Sequence, residues 1–503
     1  MYLQVHADTE TPVSLFLRWG CDNNLYSVLL ESIIGGEKIA RYSFVAKNPS
    51  VVIKGKNGNF QISRLNHSEK DTLENSKVLD STQKNLEIKS YHHESVSSKD
   101  PLLLIEKEMF SKKFLSDHKL PSFQGGSIGF LGYDAIRYYE EIPDTKQDID
   151  NHDDTFFCIF DEFLVFDHVE SSIRIVQIVN PDETKSASQM YQKMVETLEL
   201  TYVKIFQNPE SYPEIVSVLS PLHFEKETSD AEFIESVKIS KKHIYDGDIF
   251  QILPSRKVRF ELDVPPFQVY RALRAVNPSP YMYYFKAEDY KIIGSSPEIL
   301  VKKAKDKVIL RPIAGTRKRG KNSKEDELLE KDLLADPKEI AEHIMLVDLG
   351  RNDLGRICKS GSVKVEDLKV IEKYSHVMHI VSQCIGTLDD SKTMFDAVRA
   401  SLPAGTVSGA PKIRAMEIID RIEKFHRGIY SGGLGYFSYS EDLDIAIILR
   451  TLIVKGNKAY LQAGAGIVYD SDPDFELNET NIKMGAVLRA IEWARSGMVG
   501  SPR

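Results

Sequence analysis

Over the first 65 residues apolar positions come in short runs broken by turn residues: LYSVLLESI, RYSFVA, then PSVVIKGKNGNFQIS with Asn57-Gly58 at its centre. Short alternating runs predict strands, and Asn-Gly between two of them predicts a hairpin. From about residue 66 to 100 the sequence turns polar and aperiodic, which predicts an exposed insertion or a poorly ordered connection. The glycine-spaced GGSIGFLGY (125–133) leads to a strand pair, FFCIFDEFLVFDHV and SIRIVQIV, near 156–179. A helix near 183–206 and a polar stretch near 207–229 close the first half, so the expected division is 1–228 and 229–503.

The second half opens with a helix, DAEFIESVKISKKHIYDG, that runs into the apolar DIFQILPSRKVRF. A helix near 266–276, strands near 290–294, 298–303 and 307–313, and charged helical segments to about 353 follow. Helices near 391–400 and 411–424 precede the strands YSGGLGYFSY, DIAIILRTLIV and KAYLQAGAGIVYD, the last two joined by a Gly456-Asn457 turn. Strands and helices mixed without strict βαβ alternation predict an α+β class.

One helix start is sharply marked. In DPKEIAEH (336–343) Asp336 suits the N-cap, Pro337 the first turn, and Glu339 the third position of a capping box. Ile340, Ile344 and Val347 then predict a buried stripe, with Glu339 and Glu342 neighbours on one ridge. A second E-x-x-E, Glu476 and Glu479, follows the strand-like AYLQAGAGIVYD. Four converging carboxylates would raise one another's pKa unless a cation held them ionised, and hard oxygen ligands suit Mg²⁺; solvated helix acids are the plainer alternative.

Composition narrows the function classes. Lys plus Arg number 65 against 74 Asp plus Glu, a net charge of −9, which argues against a nucleic-acid partner. No basic-then-apolar start and no apolar run near 18 residues are seen, so neither a secretory signal nor a membrane association is expected, and the location should be cytoplasmic. Cys21, Cys158, Cys358 and Cys384 show no C-x-x-C spacing and fit buried thiols. GTRKRGKN (315–322) fits a P-loop except that Asn322 stands where the Mg²⁺-binding hydroxyl belongs, so a nucleotide-binding protein is a poor alternative and a solvated basic loop the expectation.

Six stretches taken in order, PIAGTRKRG (312–320), HIMLVDLGRNDLGR (343–356), YSHVMHIVS (374–382), LPAGTVSGAPK (402–412), RGIYSGGLGY (427–436) and AGAGIVYDSDPDFELNETNIK (463–483), resemble the chorismate-utilising enzymes. The resemblance spans roughly 229–495, and the N-terminal half is similar to the regulatory region of anthranilate synthases. It implies large mixed or antiparallel sheets sandwiched between helices, in α/β/β/α layers, with a β-rich regulatory part interleaved with the core.

The resemblance also implies Mg²⁺-dependent chemistry on chorismate. It makes Glu339, Glu342, Glu476 and Glu479 the metal acids, with Lys483 on the ring carboxylate. Arg450 and Tyr430 would hold the enolpyruvyl carboxylate, and Gly315, Thr316 and the Ala463, Gly464, Ala465, Gly466 run would line the substrate. Taken alone, the last two glycines fit strand packing equally well. Glu298 is implied as general acid, Thr406 as a hydrogen-bond partner or else a helix cap, and His379 as an orienting group or else a core histidine. Water-adding relatives carry a lysine base where this chain has Gln251, and aminodeoxychorismate synthases commonly carry a nucleophilic lysine at Ala314. Their absence implies ammonia as nucleophile, delivered by a glutamine amidotransferase subunit, and anthranilate as product; aminodeoxychorismate formation is the alternative. LLES (29–32) and NPSPYM (277–282) match segments that bind L-tryptophan as feedback inhibitor in similar enzymes, which implicates Glu31, Ser32, Pro278, Ser279, Pro280, Tyr281 and Met282.

Overall fold

The computed structural model describes residues 1–21, 24–33, 41–65, 91–111, 113–181, 185–207, 214–218, 220–374 and 377–501. Among these, most strands join one of two antiparallel sheets, 11-stranded and 12-stranded. The hairpin expected at Asn57-Gly58 forms with both residues at positive φ, 52° and 77°, and Lys56 opposite Asn59.

Each sheet draws strands from both halves of the chain. Tyr26–Glu31 lies beside Tyr281–Ala287 in the 11-stranded sheet, and Gly126–Leu131 beside Gly433–Ser438 in the other. The aromatic core between the sheets includes Phe44, Phe130, Phe156, Phe285 and Tyr436. Each such ring removed from water contributes about 1.5–3 kcal/mol, so the halves are joined by apolar burial as well as by ladder bonds. Helices Pro266–Val276 and Pro473–Arg495 cover the outer face of the 11-stranded sheet through Tyr270, Leu273, Val487 and Ile491. Pro101–Met109, Pro337–Gly355 and Met394–Ser401 cover that of the other through Leu102, Val347 and Phe395. The α+β class and the helix–sheet–sheet–helix layering are therefore as expected. Among the described residues no helix is long and apolar enough to cross a membrane.

Two expectations change. Apolar runs that read as single blocks are each divided between the sheets: Thr155–Phe160 and Leu443–Ile447 lie in the 12-stranded sheet, Glu162–Asp167 and Thr451–Lys455 in the 11-stranded one. The strand expected over DIAIILRTLIV breaks at Arg450, which takes a left-handed φ of 47°. A continuous apolar run carries no mark of a change of sheet. The connection expected to be irregular up to residue 100 includes an edge strand, Tyr91–Ser97, paired with Asn59–Leu65. It is mostly exposed and needs no apolar face, which removes the usual periodic signal; residues 66–90 lie outside the described residues.

Candidate active site

Helix Pro337–Gly355 starts where expected: Asp336 accepts from the backbone N–H of Lys338 and Glu339 at 3.0 and 3.3 Å. Glu339 does not close a capping box. Its carboxylate takes Arg317 at 3.1 Å, a charged donor that outcompetes a backbone amide. The buried positions are His343, Leu346, Val347, Gly350, Asp353 and Leu354, while Ile340 and Ile344 are half-buried, so the core-facing stripe is rotated from the expected one. That rotation leaves Glu342 facing Gln251, whose Nε2 donates to it at 2.9 Å. Burial pushes the Glu342 carboxyl up; the Gln251 bond opposes this, and Glu339 and Glu479 add to it.

The acids of the two helices thus share one field. Helix Pro473–Arg495 is capped by Asp472, places Glu476 in the interior, and sets Glu479 against Lys483 at 2.6 Å. Lys483 also donates to the Gly464 carbonyl at 3.0 Å. Burial raises the Glu476 carboxyl, opposed by Ser471 and reinforced by Glu479, and its Oε2 is buried with no hydrogen-bond partner among the described residues. No three His, Cys, Asp or Glu side chains among the described residues are gathered as a closed ligand set, since Arg317, Gln251 and Lys483 engage three of the acids. The donor chemistry still fits a hard divalent cation: an orphaned buried oxygen and carboxyls raised by burial, with their neighbours adding to it, are what such an ion relieves.

Glu298 follows strand Tyr290–Ser296 and is 8% exposed. Burial pushes its carboxyl up to about 8, against the lowering influence of Thr406, Lys483 and Arg450. Thr406 Oγ1 donates to it at 2.9 Å from the turn Gly405–Val407. Capping is not the role of Thr406, because helix Lys412–Ile422 has no side-chain cap. Arg450, at the sheet crossing, forms no ion pair among the described residues; burial disfavours its charge while Tyr374 and Glu298 favour it. An uncompensated guanidinium at a buried edge is a ready anion site.

His379 holds its Nδ1 at 3.0 Å from both the Gly315 carbonyl and Thr316 Oγ1, and burial lowers its pKa, so a neutral ring donates from Nδ1 and leaves Nε2 as an acceptor. Gly315 needs its glycine, having φ of +66° and Glu339 3.2 Å from a would-be Cβ. Tyr430 is buried, and burial pushes its hydroxyl up to about 12. A Cβ on Gly464 would meet the Pro254 carbonyl at 2.7 Å, so strand packing accounts for that residue. On Gly466 it would meet Gln251 Nε2 at 3.0 Å. Ala463 pairs with Arg256, and Ala465 donates its N–H to Pro254 at 3.2 Å.

The basic stretch 315–322 is neither a phosphate loop nor a solvated loop. Ile313–Lys318 is a strand, Arg319 pairs with Asp326 at 2.5 Å, and Asn322 caps helix Ser323–Ala335. Arg317, passed over as part of a charge run, reaches Asp332, Asp336 and Glu339.

A separate cavity of about 250 Å³ lies between the sheets, lined by Glu31, Ser32, Pro280, Tyr281 and Met282 together with Arg41 and Tyr436. Ser32 Oγ is buried without a partner among the described residues. Glu31, expected to be able to meet an ammonium, already accepts from Tyr270 at 2.5 Å and Arg274 at 3.2 Å. Pro278 and Ser279 do not line the cavity; Ser279 accepts from Ser295 at 2.7 Å.

Residues 65–489 match the family model described as chorismate binding enzyme. Anthranilate synthase component 1 of Acetivibrio thermocellus is 44% identical over 498 residues, 98% of this chain and 95% of that protein. That of Aquifex aeolicus is 40% identical over 501 residues, 98% of this chain and 94% of that one. The crystal structure of anthranilate synthase component I from Streptococcus pneumoniae superposes with a TM-score of 0.73 at 36% identity, over 96% of this chain and 98% of that one. The menaquinone-specific isochorismate synthase of Escherichia coli, 15% identical, shares the fold with a TM-score of 0.66, over 98% and 94% of the two chains.

Proposed function

The chain belongs to the chorismate-binding enzymes, alongside the anthranilate synthase component 1 proteins, and from that premise we propose that it converts chorismate and ammonia to anthranilate, pyruvate and water. The observation that carries this is Glu298, a buried carboxyl that accepts from Thr406 at 2.9 Å, is pushed up to about 8 by burial, and lies in the field of the cations Lys483 and Arg450. Such a group can protonate the departing 4-hydroxyl of a substrate whose carboxylates the cations hold. Arg450 offers a fork and Tyr430 a single donor to the enolpyruvyl carboxylate; Lys483 pairs with the ring carboxylate. Glu339, Glu342, Glu476 and Glu479 would hold Mg²⁺, which when bound supplies positive charge to the ring carboxylate.

Ammonia as nucleophile is supported by the residues at positions 251 and 314. Gln251 donates through Nε2 to Glu342, and its Oε1 is buried without a partner among the described residues, an acceptor suited to an N–H. Ala314 supplies no amine. Cys158, Cys358 and Cys384 are ill suited to generate ammonia from glutamine: burial pushes Cys358 and Cys384 up to about 11 and raises Cys158 as well, leaving little thiolate. Ammonium is therefore expected to support turnover by the chain alone and glutamine not, a partner subunit supplying the amidotransferase activity. Glutamine hydrolysis by the purified chain in step with product would remove the need for that partner. Fluorescence of the ortho-aminobenzoate product separates this function from aminodeoxychorismate formation.

The cavity at Ser32 and Met282 supports feedback inhibition by L-tryptophan. Met282 and Tyr436 offer apolar surface to an indole, and the Ser32 hydroxyl awaits a partner. Strand Tyr281–Ala287 pairs with Tyr290–Ser296, which leads to Glu298, so a ligand there acts on an element of the site. Tryptophan should weaken chorismate binding, and chorismate tryptophan binding, by one factor. Ser32→Ala is expected to raise the inhibition constant about tenfold, the worth of one hydrogen bond, with uninhibited turnover intact. Loss of tryptophan sensitivity in Arg450 variants, with none in Ser32 variants, would place the inhibitor in the active site instead.

A further inference from the structure

Arg427 and Glu423 form an ion pair whose side chains are 1% and 7% exposed, set behind the active site. Arg427 donates to Glu423 at 2.6 Å, to the Val407 carbonyl at 2.7 Å and to the Leu253 carbonyl at 2.5 Å. Glu423 accepts the backbone N–H and the hydroxyl of Ser255, both at 2.8 Å. The guanidinium also lies 4.6 Å over the Tyr133 ring and 6.0 Å from that of Tyr430.

Each segment this pair holds by hydrogen bonds carries or adjoins an active-site group. Val407 follows Thr406, the donor to Glu298. Leu253 lies two residues after Gln251, and Ser255 is the ladder partner of Gly464, whose carbonyl receives Lys483. Tyr430 is three residues after Arg427 on the same chain. Stability alone does not explain so buried a pair, because well-packed apolar residues often replace one at no loss. A fixed guanidinium fork, by contrast, is suited to locking three loops at once.

We propose that Arg427 and Glu423 are positioning residues for the chorismate reaction, holding the Thr406 turn, the Gln251–Ser255 segment and the Gly464 strand end in one register. This rests on the assignment of Glu298 as proton donor; the kcat of Glu298→Gln against the parent tests that assignment, and the ratio of the Arg427 and Glu423 variants to the parent tests this one. In Arg427→Lys the charge remains, but one ammonium cannot reach Glu423, Val407 and Leu253 together. A shift of about 1 Å at the reacting groups costs roughly 100-fold, so kcat is expected to fall about that much with KM for chorismate changed less than about fivefold.

The pH profile separates positioning from stability. With Thr406 displaced, Glu298 loses the hydrogen bond that favours its ionised form, while Lys483, Arg450 and Tyr374, the other charged or titratable groups acting on it, stay in place. The basic limb of kcat should then move to higher pH. The double variant Arg427→Met, Glu423→Leu is expected to melt near the parent and to keep the loss in kcat. Activity that falls only with the folded fraction, a basic limb that does not move, or parental kcat in the double variant would overturn the proposal. Failure of both variants to fold would make the pair a folding determinant and overturn it too.

Discussion

Glu298→Gln is expected to lower kcat by about 10²–10⁴-fold, the usual worth of a positioned proton donor, with little change in KM for chorismate. The amide keeps the volume and can still accept from Thr406, so what is lost is the proton. In the parent the carboxyl's ordinary value of 4.5 is pushed up to about 8 by burial, outweighing Thr406, Lys483 and Arg450. The donor is present at neutral pH, and kcat should decline as pH rises through about 8. Stability carries the same signature. Between 4.5 and about 8 the native state keeps a proton that the unfolded chain releases, so this group makes the fold less stable as pH rises across that window. Glu298→Gln should abolish that part of the pH dependence. A flat kcat profile in the parent between pH 7 and 9, or parental turnover in the variant, would remove Glu298 from the chemistry.

Glu342→Ala or Glu479→Ala is expected to cut turnover by about 10³-fold or more, since the charge stabilisation at stake is several kcal/mol. Glu342 lies in the field of both Glu339 and Glu479, so either change weakens one shared centre. The variants also free Gln251 and Lys483 from their present partners. Mg²⁺ should raise the melting temperature of the parent and leave these variants unmoved, a readout independent of activity. Full turnover in chelator, or parental rates in either variant, would end the Mg²⁺ assignment.

Local features of the site were legible in the sequence, and long-range ones were not. Asp336 and Pro337 announce the start of the metal-acid helix because capping is settled within four residues. The three-residue spacing likewise puts Glu339 beside Glu342. That Glu342 comes into the field of Glu479 depends on how helices on two different sheets pack, which no spacing encodes. Arg317 and Arg319 looked like a solvated charge run because their partners, Asp332, Asp336, Glu339 and Asp326, lie on the helices that follow. Arg450 was picked out by resemblance alone; its left-handed backbone and the change of sheet around it leave no periodic trace. Ser32 and Met282 were found in the same way, whereas the engagement of Glu31 by Tyr270 and Arg274 required the folded helix Pro266–Val276.

The most direct measurement is to incubate the purified chain with chorismate, Mg²⁺ and ¹⁵N-ammonium and to quantify the aromatic product and pyruvate together. Labelled ortho-aminobenzoate and pyruvate in equal amounts, both formed at least about 100-fold more slowly by Glu298→Gln, are the predicted result. An unlabelled hydroxylated product, a para-substituted amine without pyruvate, or no turnover of chorismate would contradict it.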